Sequence, residues 1–157
     1  IDHIQSALPA WRAESVRVHT APEGLKEVRV DEAEVRILEE GEITSLHHIP
    51  EDLMAEFTEV DKDSRPISAV FVDNLAVAFC YPTSHSETLW DVSVDTLKEY
   101  RGNNYAALAF MGMANLMAEQ NLVPQWCAVE GNPASWKVAD KLGFQQVDTI
   151  WLLTKQD

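Results

Sequence analysis

The fold turns on the stretch Val94-Asp95-Thr96-Leu97-Lys98-Glu99-Tyr100-Arg101-Gly102-Asn103-Asn104-Tyr105-Ala106-Ala107. It opens as the end of a strand and closes as the start of a helix, with a Gly/Asn loop between. Gly102, Asn103 and Asn104 all enter left-handed φ at low cost. Backbone N–H groups at such a junction point outward with the helix dipole behind them, which suits the loop to a pyrophosphate. Ala106 and Ala107 keep the first helical turn slim, and Lys98 and Arg101 add charge at the rim. No GxGxxG or P-loop sequence offers a dinucleotide or ATP alternative.

Working outward, the residues before this stretch read as a strand from Thr88 to Thr96, with Leu89, Asp91, Ser93 and Asp95 on one face and Trp90, Val92 and Val94 on the other. Upstream of it, Ile67 to Val72 and Leu75 to Tyr81 form a hairpin around Asp73-Asn74, followed by a loop from Pro82 to Ser86. A short amphipathic helix opens at Pro50, Glu51 and Asp52 and turns Leu53, Met54 and Phe57 inward, and a loop covers Asp61 to Pro66. Alternation around Glu34, Val35, Arg36 and Ile37 predicts a strand near 34–39. The segment 1–33 carries Pro9, Pro22 and Gly24 and reads as an extended, irregular arm packed by Trp11 on a domain at 34–157.

Downstream, Tyr105 to Gln120 is a long Ala- and Met-rich helix buried on most sides. A strand at Gln125 to Glu130, a helix at Pro133 to Leu142 closed by Gly143, and a last strand pair at Gln146 to Thr149 and Trp151 to Thr154 complete the order. A β-meander followed by alternating strands and helices predicts a mixed α/β (α+β) sheet with helices on both faces.

Composition narrows the function classes. With 157 residues, 46% hydrophobic and 24% charged, the chain matches one globular domain with a core of its own. It has no apolar run of the ~20 residues that span a bilayer and no basic segment before an apolar stretch, so neither a membrane span nor a signal peptide is expected. The sequence starts at Ile1 without Met, which leaves an upstream region open. Against 26 acidic residues stand 12 basic ones, a net charge of -14 that argues against nucleic acid and anionic lipid as partners. Cys80 and Cys127 lack CxxC spacing and read as buried free thiols in a reducing, cytoplasmic compartment. His47, His48 and His85 lack the carboxylate and third ligand of a metal site, and no metal is expected. Between Arg65 and Lys155 the only basic residues are Lys98, Arg101, Lys137 and Lys141, so scarce positive charge gathers on two segments that should meet something anionic.

The second of those segments is Asn132-Pro133-Ala134-Ser135-Trp136-Lys137-Val138-Ala139-Asp140-Lys141-Leu142-Gly143-Phe144. Taken with Arg101-Gly102-Asn103-Asn104-Tyr105-Ala106, it resembles the GNAT superfamily of acyl-CoA-dependent N-acetyltransferases, whose pyrophosphate loop reads Q/R-x-x-G-x-G/A and whose later strand ends in Asn before a helix and a Gly-Phe. Asn104 stands where that loop has Gly, and Ala139 where many members carry a Tyr that protonates the thiolate. The resemblance covers Ile67 to Thr154 well. It implies a splayed, mostly antiparallel sheet with acetyl-CoA as cofactor, the backbone of Val94 and Thr96 paired with the pantetheine arm, and amides from Arg101 through Gly102, Asn103, Asn104, Tyr105 and Ala106 on the pyrophosphate. It also implies Asn132 and Ser135 near the thioester.

Acetyl transfer to an amine needs a neutral nucleophile, an oxyanion donor and a proton for the departing thiolate. Asp91 is the first choice as base, with Glu87 and Glu130 as rivals; the N–H near Thr96 is the oxyanion donor and Ser135 the nearest hydroxyl acid. Each of the carboxylates competes with plain surface charge, and Asn132 with a simple helix cap. The acceptor is a small molecule or peptide amine, and self-association into a homodimer stays open. A non-catalytic acyl-CoA-binding module is the alternative reading, and a coenzyme-independent interaction domain the third.

Overall fold

A computed structural model describes residues 2–62 and 65–156. In chain order its elements are α1 (Asp2–Ala7), β1 (Trp11–Thr20), β2 (Glu34–Ile37), α2 (Glu51–Lys62), β3 (Ser68–Val72), β4 (Leu75–His85), β5 (Leu89–Thr96), α3 (Tyr105–Glu119), β6 (Val123–Val129), α4 (Pro133–Leu142) and β7 (Gln145–Lys155), with short 3-10 turns at Glu42–Ser45 and Lys98–Tyr100. They gather into a central unit, Lys26–Pro124, and a terminal unit, Ile1–Leu25 with Gln125–Asp157.

In the central unit β2, β3, β4 and β5 pair antiparallel in sequence order. The β3–β4 hairpin closes at Asp73 and Asn74, which hold φ of 48° and 66°. Two successive positive φ values match the right-handed twist of a two-residue hairpin, as the Asp-Asn pair leads one to expect. Side chains alternate across the sheet, and each face has its helix. On one face Ala69, Phe79 and Tyr81 pack with Phe57 of α2, the Phe57 and Phe79 rings 4.7 Å apart. On the other, α3 crosses all four strands, and Trp90 stacks on Phe110 with centroids 6.0 Å apart. Fully burying side chains of this size contributes about 1.5–3 kcal/mol each, so the two aromatic clusters dominate the unit's cohesion. Gly112 permits the close approach of α3, since a Cβ there would stand 2.5 Å from Ser68 Oγ and 2.7 Å from Val35 Cγ2.

The terminal unit is a three-stranded antiparallel sheet with β1 between β6 and β7. Val16, Val18, Trp126 and Ala128 are buried, as are Ala139 and Leu142 of α4, and Trp126 meets Phe144 edge to face at 5.5 Å. Gly143 closes α4 at φ 95°, the left-handed cap expected of it.

Four local expectations change. Trp11–Thr20 is not part of an irregular arm but a ten-residue strand bonded on both sides, and Trp11 stays 37% exposed instead of anchoring the segment. The stretch expected as a loop from Pro82 to Ser86 continues β4 as far as His85, the irregularity reduced to a register shift between Pro82 and Ser84. The last strand pair is one strand, β7, whose only irregularity is the bulge at Val147 opposite the Val18/His19 step. Helix α2 runs to Lys62, beyond the expected loop start at Asp61; residues 63 and 64 of that loop lie outside the described residues. Cys80 is buried and Cys127 half-buried, and neither is in a disulfide.

Candidate active site

In the central unit the strand, loop and helix junction forms where the sequence placed it. The chain turns at Gly102 with φ 84° and again at Asn104 with φ 65°, then enters α3. The first four N–H groups of a helix have no partner within the helix. Here Asn104 caps α3 with no side-chain hydrogen bond, and the first turn holds no acidic residue. In a chain with 26 acids, the first turn of this helix carries none to answer the positive end of its dipole. Arg101 folds back, its Nε–H donating to the Thr96 carbonyl at 3.1 Å, and Asn103 Nδ2 donates to the Tyr100 carbonyl at 3.1 Å.

The register of β5 decides where its backbone groups point. Leu97 N–H donates to Val77 O, and Ala78 faces Thr96, Phe79 faces Asp95 and Cys80 faces Val94. Antiparallel partners alternate between bonded and non-bonded pairs, so Asp95 uses its backbone on β4 while Val94 and Thr96 direct theirs away from it. The Thr96 carbonyl is the acceptor for Arg101, which competes with any use of that oxygen by a ligand.

Period-2 alternation puts Asp91, Ser93 and Asp95 on the face of α2. Asp91 Oδ2 accepts the Thr83 hydroxyl at 2.9 Å, far along the strand: five residues from Thr96 span about 17 Å. Glu87 sits in the exposed bend before β5, beyond the far end of a strand whose seven steps to Thr96 span about 23 Å. Asp95, one residue from the loop-side end of β5, is the carboxylate that sequence reasoning passed over. Tyr81 Oη lies 2.9 Å from Asp95 Oδ2 and 2.7 Å from Glu56 Oε2 of α2. Burial raises the Asp95 pKa, the Tyr81 hydrogen bond opposes that rise, and the charge of Glu56 adds to it. Burial likewise raises the Tyr81 phenol well above its usual value. The signal available in the sequence was the Asp-x-Ser-x-Asp alternation itself, which marks a face but not which carboxylate meets a buried phenol.

The terminal unit holds Asn132, Ser135 and Glu130. Asn132 Oδ1 accepts the Ser135 N–H at 3.3 Å, with Pro133 opening the helix, so Asn132 is a helix cap in fact. Trp126 donates its indole N–H to Ser135 Oγ at 3.0 Å, which leaves the serine's own O–H to be donated elsewhere. Glu130 is held by the Arg17 guanidinium, with Nε to Oε2 at 2.6 Å, and Arg17 also lies 4.1 Å over the Trp136 ring. That pairing lowers the Glu130 pKa, the opposite of what a proton acceptor needs at neutral pH. Ala139, where the resemblance would put a Tyr acid, is 0% exposed and faces the core. Among the described residues no group of three or more His, Cys, Asp or Glu is arranged to hold a metal ion, and no helix is long and apolar enough to cross a membrane.

The GNAT acetyltransferase family model matches residues 44–151, more than half of the chain. The chain therefore belongs to the GNAT acetyltransferase family, and the mixed α/β fold is the one that family shares. Among solved structures it is similar to a GCN5-related N-acetyltransferase-like protein from Streptococcus suis at 14% identity and TM-score 0.71, covering 99% of this chain and 67% of that one. It is also similar to a GNAT acetyltransferase from Colwellia psychrerythraea at 12% identity and TM-score 0.69, covering 100% of this chain and 62% of that one. The chain thus spans about two thirds of the length of either. An aminoglycoside N-acetyltransferase, AAC(6')-Iy, solved in complex with CoA, matches at 15% identity and TM-score 0.61, covering 87% of this chain and 99% of that one. No curated protein sequence matches significantly.

Proposed function

We propose that this chain binds acetyl-CoA and transfers its acetyl group to an amine of a small molecule or peptide. The observation that carries the reading is the start of α3: two positive-φ residues, no side-chain cap and no acid in the first turn, at the loop that carries Arg101. A helix start of that kind suits a pyrophosphate, which supports the reading. The outward backbone groups of Val94 and Thr96 suit the amides of a pantetheine arm, which pairs with a strand edge as an added strand would. A CoA complex of the similar aminoglycoside N-acetyltransferase supports the choice of cofactor. Amides from Arg101 to Ala106 are the proposed pyrophosphate ligands. In the terminal unit Asn132 and Ser135 are the residues the family motif points to, and Ser135, its oxygen already engaged by Trp126, is the proposed hydroxyl donor.

Calorimetry with CoA tests the cofactor: folded protein that takes up no CoA at millimolar concentration overturns it. A thiol-release screen over polyamines, amino acids, aminoglycosides and peptides then tests transfer. Binding without turnover of any amine would instead make the chain an acyl-CoA-binding module. Asp91→Asn and Glu87→Gln enter the same screen as the alternative bases.

A further inference from the structure

We propose that Glu56, Tyr81 and Asp95 hold one proton in common and, as a unit, accept the proton of the acceptor's ammonium. The inference rests on the acetyl-transfer reading above and names the group that performs one step of it. It starts from a count of hydrogens. The Tyr81 oxygen lies 2.7 Å from Glu56 Oε2 and 2.9 Å from Asp95 Oδ2, yet a phenol has a single hydrogen to donate. Two ionised carboxylates are acceptors only, so one of the two contacts needs a proton that belongs to a carboxyl group. The three groups are drawn together from α2, β4 and β5: Tyr81 is only 1% exposed and Asp95 half-buried, while Glu56 reaches the phenol from the exposed side of α2.

The charges felt at Asp95 are Glu56 and Asp52 of α2, which favour its protonated form, and Arg101 of the loop, which favours its carboxylate. Burial keeps the Tyr81 phenol neutral, and Ser93, its neighbour across β4 and β5, opposes that through a hydrogen bond that favours the ionised form. Burial raises the proton affinity of the Asp95 carboxyl, the Tyr81 hydrogen bond opposes that rise, and the neighbouring charge of Glu56 adds to it. A carboxylate held above the ordinary aspartate range is a stronger proton acceptor than a surface aspartate. Asp95 also stands between Val94 and Thr96, the two residues whose backbone turns away from β4.

The step balances as follows. The ammonium R–NH3+ gives one proton to the fully ionised unit, and the freed nitrogen lone pair forms a C–N bond to the thioester carbonyl carbon of acetyl-CoA. Collapse of the tetrahedral intermediate breaks the C–S bond, and its electron pair leaves on the CoA sulfur. The second proton lost from nitrogen ends on that sulfur, and the unit returns the first to solvent.

Carboxyl carbon NMR of the whole chain reads the shared proton without any substrate. The Asp95 signal is expected to titrate above the ordinary aspartate value of about 3.9, and Glu56→Gln should move that titration down. One inflection at the ordinary value overturns the proposal. Turnover then reads the role, with the fastest amine of the screen. Asp95→Asn should lower kcat by about 100-fold and abolish the rising pH limb, with the KM for acetyl-CoA within about threefold. Glu56→Gln should shift the limb to lower pH, because removing a neighbouring negative charge eases ionisation of Asp95. Equal loss at every pH with an unmoved limb marks a merely structural role and overturns the proposal. Wild-type protein that takes up no CoA overturns the acetyl-transfer reading instead, and the NMR titration still separates the two failures. If Asp95→Asn does not fold, the wild-type titration and Glu56→Gln decide alone.

Discussion

Helices α2 and α3 begin in opposite ways. Helix α2 follows Pro50 and carries Glu51 and Asp52 in its first turn, so its own side chains answer the positive end of its dipole. Helix α3 follows left-handed Asn104 and has neither an acid in the first turn nor a side-chain cap. Both lie in the same acidic unit, and negative residues are plentiful enough to have served either. A helix start with acids in its first turn is stabilised by its own side chains, whereas one without them beside two positive-φ residues has the features that suit the anion site proposed above.

The strongest way to break this contrast is at Gly102. Its φ of 84° is strained for any L side chain, although a Cβ there would meet nothing within 4 Å, so Gly102→Val acts through the backbone alone. CoA affinity by calorimetry should fall by at least about 100-fold with the fold retained by circular dichroism; unchanged affinity would place the phosphates elsewhere. Next in size is a charge exchange between the helices. Ala106→Glu gives α3 the acid it lacks and should weaken CoA by about tenfold while raising helix stability by about 0.3–1 kcal/mol, whereas Asp52→Ala in α2 should leave CoA affinity alone. Weakening by both variants alike would mean that overall charge, and not the start of α3, sets affinity.

A third helix start gives a control. Asn132→Ala removes the side-chain cap of α4 and should cost about 1 kcal/mol in urea melts. A loss of turnover beyond that expected from lost stability would give Asn132 a role besides capping. The smallest expected effect is Asn104→Gly. With φ 65° at that residue, glycine removes a left-handed strain of about 1 kcal/mol and should keep or tighten CoA binding, by up to about fivefold.

Much of the fold was legible because its signals are local. The Asp73-Asn74 turn, the Asn132-Pro133 start and the Gly143 end of α4, and the Gly/Asn loop before α3 each depend on φ preferences and hydrogen bonds within a few residues. β1 was not legible, since between Trp11 and Thr20 the strongly buried positions are Val16, Val18 and His19 among Arg12, Glu14 and Arg17, a weak alternation that becomes a strand through pairing with residues more than a hundred positions away. β4 ran past Pro82 for a related reason: Pro82 faces Val92 as a non-hydrogen-bonded pair, where the ladder asks no N–H of it, and the register shift beyond it skips Thr83.

The amino-acid sequence by itself determined the anion-ready loop, the absence of acid at the start of α3 and the choice of Asn and Gly where the backbone turns left-handed, because these are properties of neighbouring residues. It determined also that Asp91, Ser93 and Asp95 share a face, because strand alternation has period two. Which of the carboxylates is exceptional was decided only by tertiary structure. Glu56 and Tyr81 stand 25 residues apart, and Tyr81 and Asp95 14 apart. Only the packing of α2 on β4, and the register that sets Tyr81 opposite Ser93 and Phe79 opposite Asp95, bring the buried phenol between the two carboxyl groups. Burial, the Tyr81 hydrogen bond and the charge of Glu56 then set the proton affinity of Asp95, and these surroundings do not exist until the chain has folded.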